Sequence, residues 1–407
     1  MRFVRGMASA LGVSLGALLL PVNLAHAGGP LLVRDNGVPY VFSTAAPIPY
    51  RTDNGPLSAT VTEATARSRV AGMFGVWEGV TTSSIAYARA GFVNATVAFT
   101  GGDVNTPDEF DAVQTDCGNG VQSPIVYDAD ASIFMALGID ETSVIGIAGP
   151  CAANATQFIT SLAVMNGLFQ DGAAAPVPDI STDEFDAALI HEFGHFSGLD
   201  HSQINVNCLG GCGPDDLTGL PTMFPVLLHV SQKSLSVDDI AWISRLYPQT
   251  TGGTTFANTH GTIAGTVFFS DGQSHAAYVN VIARPVDTGA NQDRTAAVSV
   301  VSGYKFRAIR GNPINDNPTQ FPPFGSLTPG DMGLFEIPVP AGSYTVEVES
   351  IDAGFSDGSG VGPVQIPMPG TAPAPSATIV VVAGGTNSGN DVTLIGTDPR
   401  FDQFEGP

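Results

Sequence analysis

The sequence predicts an α+β domain followed by an all-β sandwich, and three observations lead to this expectation. In residues 28–248, apolar residues recur at helical spacing between short strand-like runs. Residues 249–258 are polar, contain glycine and are typical of a linker. In residues 259–397, apolar and polar residues alternate, as they do in half-buried strands. A length of 407 residues is sufficient for two such domains, with residues 398–407 as a tail.

The first 27 residues have the pattern of a secretory signal peptide. Arg2 and Arg5 precede a mostly apolar run over residues 7–20, and residues 25–27 (Ala-His-Ala) match a cleavage signal. The apolar run is shorter than the roughly 18 residues that a membrane-spanning helix needs. We therefore expect cleavage after Ala27, a secreted protein and no membrane span.

Several elements of the first domain can be placed from residue spacing. Ala66, Val70, Phe74 and Trp77 share one helical face, so we expect an amphipathic helix over residues 61–78 with Trp77 in the core. Strands are expected at residues 84–88, 93–99 and 159–165.

A second helix carries the most informative residues of the chain. Ser181 and Glu184 fit a capping box, so a helix should begin at this point. Along it, His191 and His195 lie one turn apart on the same face. The glycine at 198 can end the helix in a left-handed conformation, which returns the chain so that His201 supplies a third nitrogen.

These three histidines are expected to bind one catalytic zinc ion per chain. Imidazole nitrogens bind zinc at about 2.0–2.1 Å, and three protein ligands leave a fourth position for water, which is typical of catalytic sites. Glu192 projects beside the metal, where a general base is needed. Two histidines one turn apart are common without a metal, but here five positions, including Glu192 and Gly198, match together.

The sequence downstream extends this motif. Met223 lies about twenty residues beyond His201. The chain thereby resembles the metzincin zinc metalloproteases, in which a turn with a methionine beneath the imidazoles follows the long histidine motif. An ordinary core methionine is the alternative interpretation of Met223.

Within the metzincins, the resemblance is to the matrixins. Leu199, Asp200 and Ser202 match the matrixin form around the third histidine. Pro225 stands where related metzincin groups place a tyrosine as an extra zinc ligand, so this position favours a matrixin-like site. The pocket wall beside the zinc is expected to include residues 225–228.

The resemblance implies a fold and an activity. The fold would be a metzincin catalytic domain, a twisted mixed sheet with long helices, and the activity would be zinc-dependent peptide-bond hydrolysis with Glu192 as general base. Residues 159–165 would be the antiparallel edge strand to which a peptide substrate adds. Residues 235–248 resemble the final helix of the domain, in which Asp238 and Asp239 would anchor the helix near the methionine turn. Stabilisation of the helix dipole is the alternative interpretation of these two aspartates.

The four cysteines are expected to form two disulfides, because an even number in a secreted chain is typical of disulfide bonding. Three pairings are open, and we favour Cys117–Cys151 and Cys208–Cys212. The second pair would pin the loop between His201 and Met223. A zinc site built from these thiols is the alternative, although no Cys-x-x-Cys pair is present.

Charge restricts the classes of partner. The chain has 15 Lys and Arg against 38 Asp and Glu, a net charge of −23, which argues against nucleic acid and anionic membranes. A protein or peptide substrate is the expected partner. The pairs Asp128/Asp130 and Asp215/Asp216 are candidate Ca²⁺ ligands, with solvated loop carboxylates as the alternative.

The second domain is predicted from about seven short strands separated by glycine-containing turns, which favour a β-sandwich. The strands are expected at residues 262–269, 279–284, 298–308, 334–337, 344–349, 379–382 and 392–395. Residues 261–267 and 339–346 resemble the carboxypeptidase-regulatory-like modules of secreted proteins. A protein or polysaccharide surface is the expected ligand of such a module.

Two other functions remain open at this point. The chain could be a secreted binding or adhesion protein with a vestigial protease domain, although the intact Glu192 argues against this because a scaffold needs no base. Zinc-dependent hydrolysis of a substrate other than peptides is the third reading, and the resemblance of the methionine turn and final helix to proteases argues against it.

Overall fold

The protein has a mixed α/β fold with three β-sheets. The computed structural model describes residues 29–94, 102–286, 291–306, 325–326, 328–351 and 370–396. The predicted signal peptide and the predicted tail therefore lie outside the described residues. None of the helices in the described ranges combines the length and hydropathy that a bilayer span requires.

The first sheet has five strands in the order β2-β1-β3-β5-β4. The strands are β1 Ile48–Thr52, β2 Tyr87–Phe92, β3 Pro124–Asp128, β4 Gly146–Ala153 and β5 Phe158–Asn166. Neighbouring strands are parallel except β4, which runs antiparallel to β5 at one end of the sheet. The strand predicted at 84–88 begins three residues later than expected, and residues 95–99 of the strand predicted at 93–99 lie outside the described residues.

The predicted edge position of residues 159–165 is wrong, although these residues do form a strand. They belong to β5, which pairs with β3 on one side and with β4 on the other. Seven consecutive residues of β5, from Thr160 to Asn166, are buried, as expected for an interior strand covered on both faces. The antiparallel edge strand is β4, and most of its residues are half-exposed.

Eight α-helices accompany the sheets in the described residues. They are α1 Glu63–Glu78, α2 Pro107–Gly118, α3 Ser132–Leu137, α4 Thr182–Phe196, α5 Pro214–Thr218, α6 Val237–Leu246, α7 Phe256–Thr259 and α8 Gln292–Thr295. The predicted helix at 61–78 is confirmed as α1, which packs against α4. Phe74 stacks on Phe193 with ring centroids 3.9 Å apart, and the indole N–H of Trp77 donates to the carbonyl of Ile190. These contacts fix the helix that carries the histidine motif.

The last part of the chain is mostly strands in two sheets. The strands are β6 His260–Phe268, β7 Val279–Pro285, β8 Val298–Val301, β9 Leu334–Pro340, β10 Gly342–Ser350, β11 Ile379–Val381, β12 Thr386–Asn387 and β13 Val392–Thr393. One antiparallel sheet has the order β11-β10-β7-β8. In the other, β6 lies antiparallel to β9 and parallel to β12 and β13.

The strand predicted at 298–308 is wrong beyond Val301. Gly303 has a φ of +79°, which extended chain does not adopt, and the N–H of Phe306 donates back to the Gly303 carbonyl. The chain therefore turns after β8. Residues 307 and 308 lie outside the described residues.

The two parts of the chain share one continuous apolar core. Trp242 of α6 packs edge-on against Tyr304, with ring centroids 6.0 Å apart. In the predicted linker, the N–H of Gln249 donates to the Thr82 carbonyl, and α7 begins at Phe256. The sheets of the second half therefore pack directly against the helices of the first.

Both favoured disulfides are formed. Cys117–Cys151 joins α2 to the edge strand β4, and Cys208–Cys212 closes a short loop between His201 and Met223. Neither pair is available to bind zinc. Two disulfides fit an extracellular protein, because such bonds persist in oxidising compartments.

Candidate functional site

Helix α4 begins where the sequence predicts. The Ser181 hydroxyl accepts the N–H of Glu184 at 3.2 Å, and the Glu184 carboxylate accepts the N–H of Ser181 at 2.8 Å. This reciprocal pair satisfies N–H groups that have no partner within the helix. The helix then runs through His191 and His195 and ends at Phe196.

A tight turn carries the chain from α4 to the third histidine. Gly198 has a φ of +88°, and the N–H of Leu199 donates to the Gly194 carbonyl at 2.9 Å, which closes a Schellman-type end. A Cβ at Gly198 would lie 2.7 Å from the Phe158 ring. The turn needs glycine both for its backbone angle and for this contact, and it brings His201 back to the helix.

The three histidines converge on one point. Their Nε2 atoms lie 3.2 Å (His191 to His201), 3.1 Å (His191 to His195) and 3.0 Å (His195 to His201) apart. A tetrahedral zinc site with bonds of about 2.0–2.1 Å has nitrogens roughly 3.3–3.4 Å apart, so the observed triangle is close to that size. Among the described residues, this is the one cluster of three ligand-type side chains close enough to share an ion.

Two of the rings are held in the tautomer that a metal requires. Nδ1–H of His191 donates to the Thr222 carbonyl at 2.8 Å, and Nδ1–H of His195 donates to the Leu199 carbonyl at 2.9 Å. A carbonyl only accepts, so the proton is on Nδ1 and the lone pair is on Nε2. Thr222 and Leu199 act through their backbone, and no side-chain pattern in the sequence reveals that role.

Burial keeps these imidazoles neutral. It lowers the pKa of His191 to about 4, against the opposing effect of the Thr222 carbonyl. It lowers the pKa of His195 to about 3, with a further contribution from neighbouring His191. Both rings are therefore in the unprotonated form that binds metals at neutral pH.

The turn that contains Met223 is fixed by one aspartate. The Asp239 carboxylate accepts the N–H of Thr222 at 2.8 Å and the N–H of Met223 at 3.0 Å. The Met223 carbonyl accepts the N–H of Ser202 at 2.8 Å, which ties the turn to the residue after His201. Met223 is buried and its sulfur lies against Gly194 of the histidine helix.

Asp238 and Asp239 point to different parts of the molecule, and both are buried. Asp239 also accepts the N–H of Ser236, which starts α6. Asp238 accepts the N–H of Ser299, in strand β8, at 2.8 Å. Burial raises the pKa of Asp238 to about 8, with a smaller contribution from the charge of Asp239. Interaction with the helix dipole alone does not account for these specific contacts.

Glu192 lines a cavity of about 260 Å³ beside the histidines. Apolar residues make up much of its wall, namely Val144, Ile145, Ala187, Ala188, Val226 and Leu227. Pro225 also lines it, so three of the four residues expected in the pocket wall, 225–227, are present. Burial raises the pKa of Glu192 to about 8. A cation at the three histidines would lower it again, because an opposite charge favours the carboxylate.

Two residues that sequence reasoning missed shape this cavity. Gly146 of β4 faces Glu192, and a Cβ at 146 would lie 2.7 Å from Cγ of Glu192. The Gln232 side-chain oxygen accepts the N–H groups of Leu228 at 2.8 Å and of His229 at 3.0 Å. Its amide nitrogen donates to the Val226 carbonyl at 3.0 Å. Neither residue belongs to a recognisable motif. Gly146 contacts a residue that is distant in sequence, and Gln232 holds a segment without regular secondary structure.

The candidate calcium ligands are used in hydrogen bonds within the protein. Asp128 accepts the N–H of Phe134 at 2.9 Å, and Asp130 accepts the N–H of Ser132 at 3.0 Å. Asp215 accepts from the Asn291 amide at 2.9 Å. Capping and loop contacts therefore account for Asp128, Asp130 and Asp215.

Comparison with known proteins places the chain in no family. No family model matches the chain, and no curated protein matches it in sequence.

Proposed function

We propose that the protein is a secreted zinc endopeptidase with a matrixin-like catalytic domain. The observation that carries the proposal is the convergence of three histidine Nε2 atoms beside a buried glutamate on the wall of a cavity. The donor set fits zinc, since neutral imidazoles with protonated Nδ1 atoms are the form in which histidine binds it. His191, His195 and His201 would hold the ion.

In this proposal, zinc supplies a Lewis acid that lowers the pKa of water toward about 7 and polarises a carbonyl group. Glu192 would accept a proton from the attacking water and pass it to the leaving amine. Its carboxylate ionises more readily beside a divalent cation, because an opposite charge lowers its pKa. The base would therefore be active in the metal-loaded protein and largely protonated without the metal.

A peptide substrate would add to the edge of β4. That strand pairs with β5 on one side, and its N-terminal residue Gly146 lies beside Glu192. An extended peptide that pairs with such an edge places its backbone by main-chain hydrogen bonds and its side chains into neighbouring pockets. The apolar cavity beside Glu192 would then take the side chain that follows the bond to be cleaved.

The two sheets of the second half would form a carboxypeptidase-regulatory-like β-sandwich, whose ligand would be a protein or polysaccharide surface. A secreted location is supported by the two disulfides. The signal peptide of residues 1–27 remains a prediction from the sequence.

The proposal is tested by zinc content and casein hydrolysis on the purified chain. We expect one zinc per chain, with hydrolysis lost on chelation, restored by zinc and absent in Glu192→Ala at equal zinc content. One zinc without hydrolysis of casein or a diverse peptide library would favour the secreted binding protein. A folded chain that takes up no zinc would exclude the metal centre itself.

A further inference from the structure

The segment that follows the third histidine is covered by the second half of the chain. Ser202, Gln203, Ile204 and Asn205 are at most 1% exposed. If these residues lay in an exposed surface loop, the loop would be mobile and would not hold the neighbouring His201 in a fixed position. Here their backbone and side chains contact strand β7 and Ala297, which precedes strand β8, more than seventy residues further along the sequence.

The first contact is made by Asn280 of β7, whose side chain is fully buried. Its amide donates to the Gln203 carbonyl at 3.0 Å and to the Glu349 carboxylate at 3.0 Å. Next to it, Ile204 packs with Ile282 and Ala297 in a small apolar cluster that joins the two halves. The backbone two residues after His201 is thus held by a side chain of the second half.

A second contact runs through α6. The Asp238 carboxylate accepts the N–H of Ser299 at 2.8 Å and lies near the Ser202 side chain. The indole N–H of Trp242 donates to the Ser299 carbonyl at 2.8 Å. Helix α6 therefore binds both backbone groups of Ser299, which lies on the outer strand β8. The same helix holds the Met223 turn through Asp239, and the Met223 carbonyl accepts the N–H of Ser202.

We propose that the second half of the chain positions the third metal ligand, with Asn280 as the principal positioning residue for His201. The sheet β11-β10-β7-β8 is then part of the support of the metal centre, in addition to any ligand that it binds. Metal binding and docking of this sheet must stabilise one another, because each depends on the same conformation of residues 202–205. This inference rests on the metal centre of the proposed function, and not on the peptide substrate.

The test compares zinc dissociation constants of full-length Asn280→Ala and Asn390→Ala, measured by competition with a chromophoric chelator. Asn390 is the matched control, since its amide also donates to backbone carbonyls, of Ala264 and Asn387, but on β6 and its neighbours. We expect Asn280→Ala to weaken zinc binding by about tenfold, as for groups that orient metal ligands. Asn390→Ala should stay within about twofold of the unchanged protein, because distant sites act independently.

Equal zinc affinity of the two variants would overturn the inference and leave the proposed metal centre intact. Failure of the unchanged protein to bind zinc would overturn both. The two failures are therefore distinguishable in one experiment.

A measurement on the unchanged chain covers the case in which Asn280→Ala does not fold. Zinc is added and hydrogen exchange is followed at the Ser299 amide, bonded to Asp238, and at the Thr262 amide, bonded to the Gly385 carbonyl. We expect zinc to slow exchange at Ser299 more than at Thr262. Equal slowing at both amides, or none at Ser299, would contradict local coupling between the metal and the second half.

Discussion

Gly194, the residue before His195, is in direct contact with Met223. A Cβ placed on Gly194 would lie 2.2 Å from the Met223 sulfur and 3.0 Å from the Trp77 ring. The glycine between Glu192 and His195 therefore lets the methionine turn approach the helix. Because Asp239 accepts two backbone N–H groups of the same turn, the turn itself cannot move away from the helix without breaking those bonds.

We therefore predict that Gly194→Ala weakens both folding and zinc binding. The extra methyl group must displace Met223 or Trp77, and overpacking of this kind costs about 1–3 kcal/mol. Urea unfolding and chelator competition measure the two effects. The control is Gly72→Ala, in α1 with nothing within 4 Å of the added methyl group, which should stabilise the helix by roughly 0.5–1 kcal/mol. A stable Gly194→Ala protein with unchanged zinc affinity would contradict the packing described.

Gly146→Ala should impair catalysis without removing zinc. The added methyl group would meet Cγ of Glu192 at 2.7 Å, and the same methyl would meet Met165 at 3.0 Å. Since a small displacement of a catalytic group can cost about 10²-fold in rate, we expect a fall of that order in kcat for peptide hydrolysis. Gly149→Ala on the same strand is the control, because its nearest neighbour, Leu31, lies at 3.9 Å. Equal kcat values for the two variants would show that Gly146 does not position Glu192.

Gln232→Leu should broaden the choice of side chain in the cavity beside Glu192. Its three hydrogen bonds to residues 226, 228 and 229 hold the segment that forms one wall. We expect KM to rise and discrimination between peptides with different apolar residues after the cleaved bond to fall, while kcat changes little. Ser231→Ala, which leaves all three bonds in place, should retain the selectivity. An unchanged selectivity profile in Gln232→Leu would count against this role.

The buried Glu192 predicts a pH dependence of the metal-free protein. Its pKa is raised from 4.5 to about 8, so its neutral form stabilises the fold fully below pH 4.5, and this contribution is lost as the pH rises through 8. Glu192→Gln keeps the neutral form at every pH. The excess stability of the variant should therefore grow between pH 4.5 and 8, by at most about 1.4 kcal/mol per pH unit, and then level off. Urea unfolding of both chelated proteins at pH 5, 7 and 9 measures it, and a difference independent of pH would contradict the burial of this carboxyl.

Local features of the site could be predicted from the sequence because neighbouring residues determine them. The capping box at Ser181, the one-turn spacing of His191 and His195, and the left-handed Gly198 all depend on backbone geometry within one or two turns. The two disulfide pairings also agree with the favoured ones. These features locate the candidate metal ligands without knowledge of the sheet.

Features that depend on the order of the strands could not be predicted in the same way. The alternation of residues does not say whether a strand lies at an edge. The edge position expected for residues 159–165 therefore rested on the family resemblance, and the true edge strand β4, with Gly146, was not predicted. The helix-dipole interpretation of Asp238 likewise left out its partner, Ser299, which is 61 residues away in sequence. Such long-range contacts carry no local sequence signal.

The most direct test of the central claim is a mass-spectrometric search for new peptide termini. A mixture of denatured proteins is incubated with the zinc-loaded chain and, in parallel, with Glu192→Ala at the same zinc content. We predict cleavage of internal peptide bonds by the unchanged chain, with apolar residues enriched after the cleaved bond, and none by Glu192→Ala. A zinc-loaded chain that produces no new termini, or a Glu192→Ala variant that produces the same ones, would contradict the assignment of this site as an endopeptidase centre.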